Sequence, residues 1–289
     1  MQHLFDQDLI VARRKRALAE AVPGAAFLAE RVAEDLADRL ATVERHFAEA
    51  VALHCFTPHA AQAIAASGKA GRVTRIEADA AFLGGEPGLV APPDRVPLAP
   101  GSADLVVSLL SLHEADDVPG QLVQIRRALR PDGLFLGALA GGGTLAELRD
   151  SLLAAETEVS GGAAPRIMPF ADVREAGAPL QRAGFALPVA DVDTITVRYD
   201  SMFGLLRDLR AMGATSALAE RSRRPPRREM FRRAAELYAQ RHSDRDGRVR
   251  ATFSIVWLSG WAPHESQQKP LRPGSATASL KDFLEGGGR

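Results

Sequence analysis

The chain has 289 residues, 46% hydrophobic and 25% charged, with 25 Gly and 18 Pro; the length suits one α/β domain with insertions, and the composition excludes a disordered, collagenous or disulfide-rich class. The formal net charge is zero, yet residues 201–289 hold 17 basic against 9 acidic residues, which makes that segment a candidate docking surface for an acidic partner. No apolar stretch reaches the ~18 to 20 residues that span a bilayer; one cysteine and an N-terminus without a signal-peptide pattern are read as a cytoplasmic protein.

Apolar residues at helical spacing predict two leading helices, over 4–20 and 26–45, the second with Val32, Leu36 and Leu40 on one face. A strand is expected over 49–55, an alanine-rich helix over 60–66, and a second strand over 72–78. A proline-rich loop over 87–100 leads to ADLVVSLL, whose continuous apolar character suits a parallel strand covered on both faces. The next helix, 118–129, is expected to stop at Arg130-Pro131-Asp132-Gly133, and residues 134–140 form the following strand. Helices over 145–158 and 170–182, a strand near 188–199, helices over 202–212 and 228–240 and a last strand over 251–260 complete the chain.

Strands alternating with helices imply a doubly wound, mostly parallel sheet in a Rossmann-like α/β fold. The expected organisation is N-terminal helices over 1–45, a core over 46–200 and a helical cap insertion over 201–250. A last core strand with its tail over 251–278 and a flexible C-terminus over 279–289 follow.

The succession ADLVVS, LSLHEADD, a helix ending ALRPDG and the strand LFLGAL resembles class I S-adenosylmethionine-dependent methyltransferases, of the type that includes the malonyl-acyl-carrier-protein methyltransferase of biotin synthesis. LFDQDL near the start, GALAGGGTLAELRDSLLAAETE from 137, MFGLLRDLRAMG from 202 and HESQQKPLRPGSATASL from 264 resemble the mitochondrial complex I assembly factor 5 family and its bacterial relatives. The resemblance implies a methyltransferase-like fold with S-adenosylmethionine as ligand and a role in assembling NADH:ubiquinone oxidoreductase. The family's chemistry is described as hydroxylation of an arginine on a complex I subunit.

The family places a glycine-rich turn after the first strand. The matching stretch here is Leu53-His54-Cys55-Phe56-Thr57-Pro58, so His54, Phe56 and Pro58 stand where the three glycines belong. A Cβ resists the positive φ open to glycine, and Pro58 restricts both itself and Thr57. For the acid that binds the ribose hydroxyls, Glu77 is the match and Asp79 the next choice; either could instead be a solvated loop acid. Asp94, beside Pro92 and Pro93, is the nearest match to the acid at the adenine edge.

Ser108 follows the fourth strand, where the family lines the methyl group, and His113 is either a base or a locally bonded loop histidine. Asp116 and Asp117 suit helix N-caps better than catalysis. Gly142, Gly143 and Thr144 open a helix whose amides could receive an anionic or carbonyl group, or they form a plain turn. Arg149 could contact a substrate peptide, while His264 and Glu265 are expected to fix the cap or touch the protein client. Cys55 suits a small apolar strand end better than a nucleophile, and no metal-ligand spacing is present. The basic cluster 221–233 lacks the aromatic interleaving of a nucleic-acid surface.

Two functions follow from different classes. One is modification of a protein arginine with S-adenosylmethionine; the other is a catalytically silent assembly factor that kept the client surface. A third, methyl transfer to an acyl carrier or small molecule, rests on the generic block alone.

Overall fold

The computed structural model describes residues 3–162, 164–170, 173–223 and 225–267; the tail expected to be flexible lies outside them. Two helices lead, α1 (Gln7–Glu20) and α2 (Phe27–Thr42), then β1 (Phe47–Leu53), α3 (His59–Ala66), β2 (Ala70–Glu77) and the short β3 (Gly88–Val90). β4 (Ala103–Leu109), α4 (Val118–Ala128), β5 (Leu129–Ala140), α5 (Ala146–Ser160) and α6 (Val173–Arg182) follow. β6 (Ala186–Tyr199), α7 (Met202–Ala211), α8 (Arg228–His242) and β7 (Val249–Trp261) close the order.

The sheet runs β3-β2-β1-β4-β5-β7-β6. β1 pairs in parallel with both β2 and β4, and β5 continues the parallel set, whereas β7 is antiparallel to β5 and β6. The doubly wound, mostly parallel expectation therefore holds. The chain leaves β1 in one direction through α3 and returns to its other side at β4, so a crevice opens at the carboxyl ends of these two strands.

Core packing follows the apolar patterns. Val32, Leu36 and Leu40 of α2 and Leu105 and Val107 of β4 share one buried cluster, while Leu122 and Ile125 of α4 meet Val106 and Phe135 in another. Each such side chain contributes roughly 1.5–3 kcal/mol by leaving water. Asp117 caps α4 by accepting from the Gly120 N–H at 2.8 Å, as its position in the sequence suggests.

Three local expectations are corrected. Residues 130–133 do not form a turn: β5 begins at Leu129 and takes them in, with a register irregularity opposite Ala103 and Leu105 and Asp132 at φ 64°. Part of the proline-rich loop pairs with β2 as β3, an edge strand without buried side chains and hence without an apolar signal. Asp116 caps no helix; it accepts from the Leu4 and Phe5 N–H groups and from His3, pinning the N-terminal segment to the sheet's ligand edge.

That segment is a strap. Phe5 bridges Leu218, Arg13 donates to the carbonyls of Thr215 and Ser216, and Arg221 donates to Asp6. α1 thereby crosses the crevice. The end of α7 meets it there, whereas α8 packs on α5 and β7.

Candidate functional site

Four non-glycine residues with positive φ follow the carboxyl ends of parallel strands: His54 at 49° and Phe56 at 58° after β1, Leu110 at 57° after β4, and Leu145 at 54° after β5. Each costs about 1–2 kcal/mol relative to right-handed backbone, and such strain concentrates at functional sites. The turn after β1 has thus kept glycine-like backbone at two glycine positions while carrying side chains there.

Those side chains fill the turn. Phe56, 7% exposed, sits edge to face with Phe82, ring centroids 5.3 Å apart. The Arg14 guanidinium lies over the Phe56 ring, 3.9 Å from its centroid. Arg14 also reaches the Glu114 carboxylate at 2.5 Å and the Leu110 carbonyl at 3.3 Å.

Behind Phe56, Glu77 is wholly buried. Its Oε2 accepts from the Phe56 N–H at 2.9 Å and its Oε1 from Arg75 at 3.2 Å. Arg75 is itself buried and also donates to the Phe82 carbonyl at 2.6 Å. Burial pushes the Glu77 carboxyl up to about 7, against the opposing pull of the Phe56 amide and Arg75.

Two cavities flank Phe56. One, of about 300 Å³, is apolar, walled by Leu18 and Val22 of the strap, Leu110, Met168 and Phe253, with Arg14, His113 and Thr144 as polar members. The His113 ring lies 5.8 Å from the Phe170 ring, and its Nδ1 accepts from the Ala140 N–H at 3.4 Å. Burial lowers its pKa to about 4, so it is neutral at physiological pH.

The other cavity, of about 500 Å³, has more charged and polar side chains in its wall. Leu53, His54 and Ser108 line it from the strand ends, Asp94 and Arg95 from the proline-rich loop, and Asp117 and Gln121 from α4. Ser108 Oγ lies 2.9 Å from Ser111 Oγ.

The structure thus brings Leu53, His54, Phe56, Asp94 and Ser108 around one cavity, and Cys55, Phe56, His113 and Thr144 around the other. Cys55 is buried in the core, its thiol pushed up to about 12 by desolvation, which suits the apolar role and not a nucleophile.

Other residues are placed elsewhere or are already engaged. Asp79 pairs with Lys15 at 2.7 Å and caps a short helical turn. Thr144 Oγ1 donates to the Ser254 carbonyl at 2.9 Å and accepts from the Ser254 N–H at 3.0 Å. The amides of Gly141, Thr144 and Leu145 are bound within the protein, so the turn with Gly142 and Gly143 ties β5 to β7. Arg149 faces back to the Thr144 carbonyl at 3.5 Å. His264 and Glu265 follow β7 at the opposite edge of the sheet, where Gln267 bonds Asp132 at 2.9 Å. Sequence reasoning missed Arg14 and Arg75, since an arginine in an amphipathic helix or in a strand carries no signal of its burial.

Set against the adenosyl ligand that the resemblance implies, these residues do not fit the usual seat. The ribose acid has both oxygens committed inside the protein, and it lines neither cavity. Where backbone should lie bare, buried rings stand.

Comparison with known proteins places the chain. A methyltransferase domain model matches residues 40–137. The arginine hydroxylase NDUFAF5, mitochondrial, of Homo sapiens is 38% identical over 289 residues, 97% of this chain and 83% of its own. That of Danio rerio is 37% identical over 276 residues, 89% and 82%. A malonyl-[acyl-carrier protein] O-methyltransferase of Laribacter hongkongensis is 35% identical over 204 residues, 71% of this chain and 64% of its own. Among solved structures, a methyltransferase-class protein from Bacillus halodurans superposes with a TM-score of 0.54 at 13% identity, covering 80% of this chain and 98% of that one; it shows the fold. Among the described residues no helix is long and apolar enough to cross a membrane.

Proposed function

This chain belongs to the NDUFAF5 family of methyltransferase-fold proteins, and from that premise we propose that it serves the assembly of NADH:ubiquinone oxidoreductase by engaging an arginine-bearing segment of one of its subunits, with the usual adenosyl seat closed. The observation that carries the closed seat is the engagement of Glu77 by Arg75 and the Phe56 amide. The client role rests on the near full-length similarity to relatives named arginine hydroxylases. The compartment we assign to it is the cytoplasm.

The chain's own residues divide the work. The strap through α1 holds Arg14 over Phe56 of the turn after β1. Glu77 fixes that turn from behind, and the two cavities on either side of Phe56 remain as places for a client side chain. No step through an adenosyl group is derived.

The test uses the full chain. Titration with S-adenosylhomocysteine should give no heat and no thermal shift, and affinity capture from the native cell should bring down a subunit of the oxidoreductase. Micromolar binding of S-adenosylhomocysteine overturns the closed seat. Normal assembly in cells lacking this chain overturns the client role.

A second reading, modification of the held arginine, is favoured by the name of the relatives. It is separated by mass spectrometry of the captured subunit. An arginine one oxygen heavier, present only in cells that contain this chain, establishes it; an unmodified arginine in an assembled complex leaves the holding role alone.

A further inference from the structure

The apolar cavity of about 300 Å³ has a mouth and a floor. Leu18 and Val22 of the strap, 49% and 44% exposed, stand at the mouth, and the buried Phe56, Leu145, Met168 and Ile255 close the inner wall. Its volume lies at the lower bound of small-molecule pockets, which are mostly apolar with a few polar groups that fix orientation.

His113 supplies one such group. Its Nδ1 lies 3.4 Å from the Ala140 nitrogen. An amide N–H can only donate, so Nδ1 takes that bond with its lone pair and the ring proton sits on Nε2. Among the described residues Nε2 meets no acceptor, yet unlike Arg14 Nε, which is sealed, it keeps accessible surface. His113 lines this cavity and not the one beside Asp94, so the Nε2–H opens onto the apolar space.

Charge around it is balanced or absent. Arg14 is the one charged side chain in the wall among the described residues, and Glu114 neutralises it at 2.5 Å. Burial keeps His113 neutral, with its pKa lowered to about 4, and holds the Cys55 thiol protonated. Thr144 commits its hydroxyl to Ser254, and Thr57 adds one uncharged hydroxyl. An ionised ligand would lie buried without a counter-ion of its own. An uncharged one with an acceptor oxygen satisfies the donor that the apolar walls cannot.

We propose that this cavity binds an uncharged, mainly apolar small molecule bearing a ketone or amide carbonyl, the carbonyl oxygen on the His113 Nε2–H and the apolar body leaving past Leu18 and Val22. The site goes beyond the client role and stands independently of it. Occupied, it leaves the cavity beside Asp94 to a client side chain.

The experiment titrates the full chain with four probes of one shape: acetophenone, cumene, benzoate and protonated 1-phenylethylamine. Acetophenone should bind below about 1 mM, and the anion and the cation at least about tenfold more weakly. The Nε2 nitrogen resonance of His113 should shift with acetophenone and stay in place with cumene. His113→Leu removes the donor and keeps the apolar volume, so it should weaken acetophenone by about tenfold while cumene is unchanged; His113→Gln, which restores an N–H, should recover the ketone. Leu18→Asp at the exposed mouth should weaken acetophenone and cumene alike with thermal unfolding unchanged. Absence of acetophenone binding, benzoate bound as tightly as the ketone, a silent His113 resonance, or an equal loss of ketone and hydrocarbon in His113→Leu overturns the site.

Discussion

The Arg14 guanidinium and the Phe56 ring are stacked at 3.9 Å, and this contact joins the N-terminal strap to the turn after β1. The same guanidinium neutralises Glu114, whose side chain is 5% exposed. Arg14→Ala leaves that carboxylate buried without its cation, a loss of about 3–5 kcal/mol. Urea denaturation should show the drop, and limited proteolysis should cut near α1 first.

Phe56→Gly sets two effects against each other. Removing a buried phenyl costs about 3–5 kcal/mol, and releasing a positive φ returns about 1–2 kcal/mol. A net loss of about 1–4 kcal/mol is expected from these two terms. The variant should also gain affinity for S-adenosylhomocysteine by calorimetry, because glycine restores bare backbone at the middle of the turn. A variant as blind to the ligand as the parent would place the obstruction at His54 or Glu77.

Glu77 gives a stability that falls as pH rises. Its folded pKa is raised from 4.5 to about 7, so between those values the folded state binds more protons than the unfolded one. Unfolding free energy should therefore decline across that window. Glu77→Gln, compared by urea titration at several pH values, should remove this slope while lowering stability overall, since the buried Arg75 keeps only the carboxylate of Glu86.

His113 acts with the opposite sign. Its pKa falls from 6.5 to about 4 on folding, so the unfolded chain binds more protons between those values and stability rises with pH there. His113→Gln should flatten the rise. Subtracting the variant's curve from the parent's isolates it from the Glu77 contribution, and a difference that falls with pH would contradict a neutral buried ring.

Cys55 should resist alkylation in the folded protein, because its thiol is buried and pushed up to about 12. Mass spectrometry after iodoacetamide should find it unmodified until denaturant is added. Labelling at native conditions would mean that the turn after β1 opens.

The sequence by itself determined the alternation of strands and helices, because apolar spacing records which face of each element is buried, and the observed sheet carries that pattern in its strands other than β3. It also determined that Cys55 is a small apolar position and not a nucleophile, and that Asp117 caps α4, which depends on immediate neighbours. It could locate the replaced glycines but not their outcome. Whether His54 and Phe56 would abandon the glycine backbone or keep it under strain depended on partners far along the chain: Arg14 over the ring, Phe82 edge to face with it and Glu77 bonded to the amide. Only the tertiary structure decided that, because a strained dihedral persists where long-range packing outweighs its local cost.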